Sequence, residues 1–146
     1  MISITDKHDR QNLINRIQQL NENSMPLWGK MSAYQMLRHC SLWHEMALRQ
    51  RTYKQAFIGR LFGKVALKSM LKDEPLKQNM PTVPSFIVKG EGDISSEKQK
   101  LISLIDDHAQ CTNSGFIHPF FGKMSLEQGI AIASKHLDHH LKQFGV

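Results

Sequence analysis

The chain has 146 residues, 40% hydrophobic and 22% charged, which fits one ordinary globular domain spanning 1–146 and excludes a low-complexity or disordered polymer. The formal net charge is +6, and the two cysteines, Cys40 and Cys111, form no CxxC, so reduced thiols are expected rather than a disulfide framework. No apolar run approaches the ~18 to 20 residues that span a bilayer, and the opening MISITDKHDRQNL lacks the pattern of a secretion signal; a cytoplasmic protein without a membrane partner is expected.

Residues Asp6 to Asn21 carry Leu13, Ile14, Ile17 and Leu20 as an apolar stripe, with Thr5 or Asp6 available as N-cap, which predicts a first helix with His8 exposed in its first turn. After a loop containing Pro26 and Gly29, Ser32-Ala33-Tyr34-Gln35 is a capping box, and Met31 and Met36 are spaced for a hydrophobic staple. On the helix that begins there, Met36, Leu37, Cys40, Ala47 and Leu48 mark a buried face, with His39, Trp43 and Met46 on its flank. His44 falls on the buried face itself and is expected to be a core histidine bonded to a backbone carbonyl or a carboxylate.

Thr52 to Gln55 repeats the capping pattern and predicts a shorter amphipathic helix over Phe57 to Leu71 that covers the bundle. Seven Lys or Arg and no acid lie between Arg49 and Lys72, and Arg60, Lys64, Lys68 and Lys72 fall on one helical stripe. The stripe is expected to be a solvated face. Nucleic acid is not the expected partner, because Phe57 and Phe62 sit among the apolar positions instead of interleaving with the basic ones. From Asp73 to Asp93, Pro75, Pro81, Pro84, Gly90 and Gly92 break any helix, leaving an extended crossover with a short β-like stretch at Phe86 to Val88. Ser95 or Ser96 then caps a helix running to about Cys111, with Leu101, Leu104, Ile105 and His108 on one side. Gly115 to Lys123, GFIHPFFGK, reads as an aromatic loop in which Phe116, Phe120 and Phe121 close the end of the core.

Ser125 to Val146 forms the last helix. Ile130, Ser134, Leu137, Leu141 and Phe144 make its buried seam, while His136 and His140, four apart, stack on the flank where both imidazoles can reach one ion. His139 is expected to point to water. Gly129 and Ala133 continue the histidine flank backwards. A glycine inside a helix costs about 1 kcal/mol relative to alanine, so Gly129 predicts close packing or an open pocket above the pair. Trp28-Gly29-Lys30-Met31-Ser32-x-x-Gln35 also recurs as Phe121-Gly122-Lys123-Met124-Ser125-x-x-Gln128, suggesting two pseudo-symmetric helix hairpins. In the second copy Gly129 replaces the staple residue Met36, which again suggests a gap.

LWGKMSAYQMLRHC, NMPTVPSF, and HPFFGKMS followed by KHLDHHLKQFG together resemble the uncharacterised branch of the DinB/YfiT-like superfamily, from about residue 10 to Val146. The resemblance implies an all-α, DinB-like four-helix bundle, here with an additional short helix and a Pro-rich crossover, whose metal ligands are one histidine of the second helix and an HxxxH pair of the last. On this chain those are His39, His136 and His140. Members often carry a bulky aromatic at Gly129, which implies a different pocket shape here.

Two classes of function remain open on these residues. Three imidazoles around a divalent ion such as Zn or Ni leave a position open, which suits a metal-dependent thiol transferase or isomerase acting on a small molecule with a low-molecular-weight thiol. Tyr34, Glu45, His44 and His108 are candidate bases by type alone. The alternative is a non-catalytic helical interaction or metal-sensing protein with structural or no metal. A homodimer is expected from the superfamily.

Overall fold

The computed structural model describes residues 2–146 as an all-α bundle with one small hairpin. Its helices are α1 (Lys7–Gln19), α2 (Ala33–Ala47), α3 (Phe57–Met70), α4 (Ile94–Ala109) and α5 (Leu126–Gln143). Four of them form the bundle: α2 packs on α4 and α5, and α1 packs on the same two. Among the described residues no helix is long and apolar enough to cross a membrane.

Local chemistry fixes the helix starts. Asp6 caps α1 by accepting from the Asp9 amide, and Ser32 and Ser125 open α2 and α5 with complete capping boxes closed by Gln35 and Gln128. The repeated motif gives the same backbone at both places: Gly29 and Gly122 each have φ near +78°, a left-handed conformation that favours glycine. Before α4 the cap is Asp93, whose carboxylate accepts from the Ser96 amide at 2.6 Å; the expected serine caps lie inside the first turn.

Three other expectations are corrected. Thr52 and Gln55 form no capping box: α3 starts after Ala56 without a side-chain cap, and Gln55 instead donates to the Phe120 carbonyl at 3.1 Å. The crossover has no strand at Phe86 to Val88; Pro84, preset for a tight turn, opens a 3-10 turn over Pro84–Phe86 that buries Phe86. The aromatic loop is a β-hairpin, β1 (Phe116–His118) paired antiparallel with β2 (Gly122–Met124), each inward position buried and each middle residue exposed.

The core has two parts. Leu13, Ile17, Met36, Leu37, Leu101, Ile105, Leu137 and Leu141 fill the bundle interior, and Phe144 closes one end. Trp43, Met46, Phe86, Phe116, Phe121, Met124 and Ile132 form a second cluster under the hairpin, so Phe116 and Phe121 close the core as expected. His39 packs on Phe86 and His136 on Trp43, both in the second cluster, while Leu137 and Leu141, next to His136 and His140 on α5, belong to the first. The site described next therefore sits at the seam between the two.

Candidate metal centre

His39, His136 and His140 converge from α2 and α5, with their ligand atoms all within 4.8 Å of one another. The Nε2 atom of His136 is 2.9 Å from that of His39 and 3.0 Å from that of His140. His39 and His140 are buried and His136 is half-buried.

The outer nitrogens decide the tautomers. His39 Nδ1 lies 2.9 Å from the carbonyl oxygen of Phe86, which can only accept, so Nδ1 carries the proton and Nε2 presents a lone pair. His140 Nδ1 lies 2.8 Å from Gln143 Oε1. The amide of Gln143 cannot turn over, because its Nε2 donates to the Trp28 carbonyl at 2.7 Å; Oε1 therefore accepts from His140 and the His140 Nε2 lone pair also faces inward. Both lone pairs converge on His136 Nε2, which can offer at most one proton to two acceptors. A cation resolves that deficit. Buried imidazoles oriented by a backbone carbonyl and a side-chain amide are the outer arrangement that metal-bound histidines require, and the three residues fit a divalent ion.

The electrostatics agree with this fit. Burial pushes the His39 pKa down against its bond to Phe86, takes His140 down to about 3, and holds His136 well below its ordinary value with help from His140 and His39. All three are therefore neutral at pH 7 and able to ligate without losing a proton.

The neighbouring residues depart from several expectations. No open pocket lies above the pair at Gly129: a Cβ there would stand 2.5 Å from Cε1 of Phe116, and Ala133 is buried in the second cluster, so a ring from the hairpin fills the space. The glycine reflects close packing. His139 is half-buried, edge-on to Trp28 at 5.7 Å between centroids, rather than directed into water. His44 is a core histidine, but its partner is neither carbonyl nor carboxylate: its Nδ1 meets Nδ1 of His108 at 3.0 Å.

Of the residues considered as bases, Glu45 is committed elsewhere. Its carboxylate meets Arg38 at 2.7 Å, Lys100 at 2.6 Å and Arg51 at 2.5 Å. Burial raises its pKa, but these three partners outweigh burial and hold it down at about 2, so it is a poor proton acceptor. Tyr34 packs against Gly92 of the crossover. His44 and His108 occupy each other. Cys40 is buried with its thiol pKa pushed up by burial, which removes it as a nucleophile.

Sequence reasoning missed three contributors. Gln143 sits three residues after His140 on the same helix face, a spacing that could have identified it. The Phe86 carbonyl comes from the crossover and has no sequence signal. Trp43 packs on His136 at 5.6 Å and on His118 at 5.2 Å, and its buried indole N–H has no partner among the described residues. His118 Nδ1 accepts from the Phe120 and Phe121 amides, both at 3.0 Å, and so stabilises the hairpin turn.

No curated protein and no solved structure matches the chain. The family described as "Protein of unknown function (DUF1569)" matches residues 5–145, nearly the whole chain, and the protein belongs to that family.

Proposed function

We propose that the protein binds a divalent metal ion, Zn or Ni, through His39, His136 and His140, and uses it for thiol transfer or isomerisation on a small molecule, as in the DinB-like proteins that its motifs resemble. The observation that carries this reading is the convergence of two fixed Nε2 lone pairs on a third imidazole nitrogen. Imidazole donors suit either ion, and three protein ligands leave coordination positions free, the pattern of catalytic rather than closed structural sites.

When bound, the ion supplies Lewis acidity that lowers the pKa of a coordinated water or thiol. The chain's own residues do the rest. Phe86 and Gln143 hold His39 and His140 in their ligating tautomers, and the Trp43 ring on the half-buried His136 and the Phe86 ring on His39 limit water there.

The test is turnover of a small electrophile with glutathione or another low-molecular-weight thiol, by protein loaded with Zn or Ni and by His140→Ala. Activity that needs both the metal and His140 is expected. Metal binding without turnover on a thiol and electrophile panel would favour the non-catalytic, metal-sensing reading.

A further inference from the structure

Helix α3 is seated the wrong way round for a covering helix. Its sequence, FIGRLFGKVALKSM, buries Gly59, Gly63 and Leu67, while Phe57, Ile58, Leu61, Phe62 and Val65 remain between 52% and 74% exposed. The glycines explain the seating. A Cβ at Gly59 or Gly63 would collide with the backbone carbonyl of Phe120, so only a glycine face lets the helix lie flat on the hairpin turn. Its C-terminal end is tied down by Lys135 of α5, whose Nζ donates to the carbonyls of Met70 at 3.0 Å and Lys72 at 2.6 Å. The helix is therefore held in place with its large apolar side chains turned outward.

Five such side chains on one face put on the order of several hundred Å² of apolar surface in the open, the range that marks interaction sites. The flank of that face is basic. Arg60, Lys64, Lys68 and Lys72 are exposed and form no ion pair among the described residues. Lys64 and Lys68, with Lys123 from the hairpin and Gln128, also line an open cavity of about 260 Å³ that has no acidic residue in its wall.

We propose that α3 docks the protein on an anionic phospholipid surface, with Phe57, Leu61 and Val65 among the acyl chains and Lys64, Lys68 and Lys123 around a headgroup phosphate. An outward apolar stripe beside a row of cations is the arrangement of helices that lie in a bilayer interface. Charge separates this partner from a second copy of the chain: a two-fold pairing through α3 would set the same row of cations against itself. This departs from the expectation that the protein has no membrane partner, and it is independent of the metal centre.

The experiment is flotation of the full-length protein with vesicles of 70:30 phosphatidylcholine and phosphatidylglycerol, and of phosphatidylcholine alone, in 0.15 M salt. The expected result is at least tenfold tighter binding to the anionic vesicles. Binding should be lost in Leu61→Glu/Val65→Glu and weakened about twentyfold or more in Lys64→Glu/Lys68→Glu, at about fivefold per cation. Both variants change exposed side chains, so their circular dichroism melts should match the parent. No binding to anionic vesicles overturns the proposal. So does binding that Leu61→Glu/Val65→Glu leaves intact, which would be charge attraction alone, and so does a dimer that the same variant disperses, which would assign the face to a second copy.

Discussion

His140 donates its Nδ1 proton to Oε1 of Gln143 at 2.8 Å, and that bond turns the His140 Nε2 lone pair towards His136 and His39, a group that could hold a metal ion. Gln143 can accept only because the Trp28 carbonyl takes its N–H, so the loop before α2 sets the ligating tautomer of a histidine on α5. Gln143→Leu should lower metal affinity about 10- to 100-fold, the usual cost of losing an outer partner of a metal-bound histidine. Competition against a chromogenic chelator measures it, and unchanged affinity would show that the amide is only structural.

The fit at Gly129 is a matter of volume. Gly129→Ala gains helix propensity of about 1 kcal/mol but places its methyl against the Phe116 ring, an overpacking that costs about 1 to 3 kcal/mol. The single variant should therefore be neutral to about 2 kcal/mol less stable by urea unfolding. Gly129→Ala made in a Phe116→Leu background should be stabilising instead. A cycle with no coupling between the two changes would mean that the ring does not fill the space.

Glu45 pairs with three cations, of which Arg38 is largely buried while Arg51 and Lys100 are about half exposed. Glu45→Ala leaves Arg38 only its longer contact with Glu97 at 3.7 Å and should cost about 3 kcal/mol, whereas Lys100→Ala removes an exposed partner and should cost no more than about 1 kcal/mol. Equal losses in the two variants would contradict this division.

Burial takes His108 down to about 4 and His118 down to about 3, so both are neutral in the folded chain, and protonating His118 Nδ1 would also break its two amide bonds. Unfolded, each has a pKa of about 6.5. Below that value the unfolded chain binds protons that the folded chain does not. The stabilisation is therefore complete above pH 6.5 and is lost as pH falls towards about 4 and 3. Each group contributes up to about 1.4 kcal/mol per pH unit, so these two alone should make metal-free protein about 4 kcal/mol less stable at pH 5 than at pH 7, and the lowered pKa values of His39, His44, His136 and His140 add to the loss. Equal urea midpoints at the two pH values would contradict the buried neutral state.

Much of the bundle was legible because its signals are local. Ser32 with Gln35, and Ser125 with Gln128, fix two helix starts through bonds that span three residues, and the seam of α5 follows from its period. The grouping of His39 with His136 and His140 came from flank positions together with a family resemblance. Other features depend on what another element brings. A helical glycine is compatible with a void or with a neighbouring ring, and only the β1 hairpin shows that Phe116 is the neighbour at Gly129. The face of α3 was unreadable for the same reason: periodicity finds its apolar side, but the Phe120 backbone requires the glycine side to face in. Three-residue strands are too short to show alternation, and so β1 and β2 read as loop.

The measurement that bears most directly on the metal centre is elemental analysis of untagged protein purified without chelator, beside His39→Ala and His136→Ala. Near-stoichiometric Zn or Ni in the parent, lost from both variants while their helical circular dichroism persists, is the predicted result. Metal-free parent protein that stays folded after dialysis against either ion and takes up none would contradict the account.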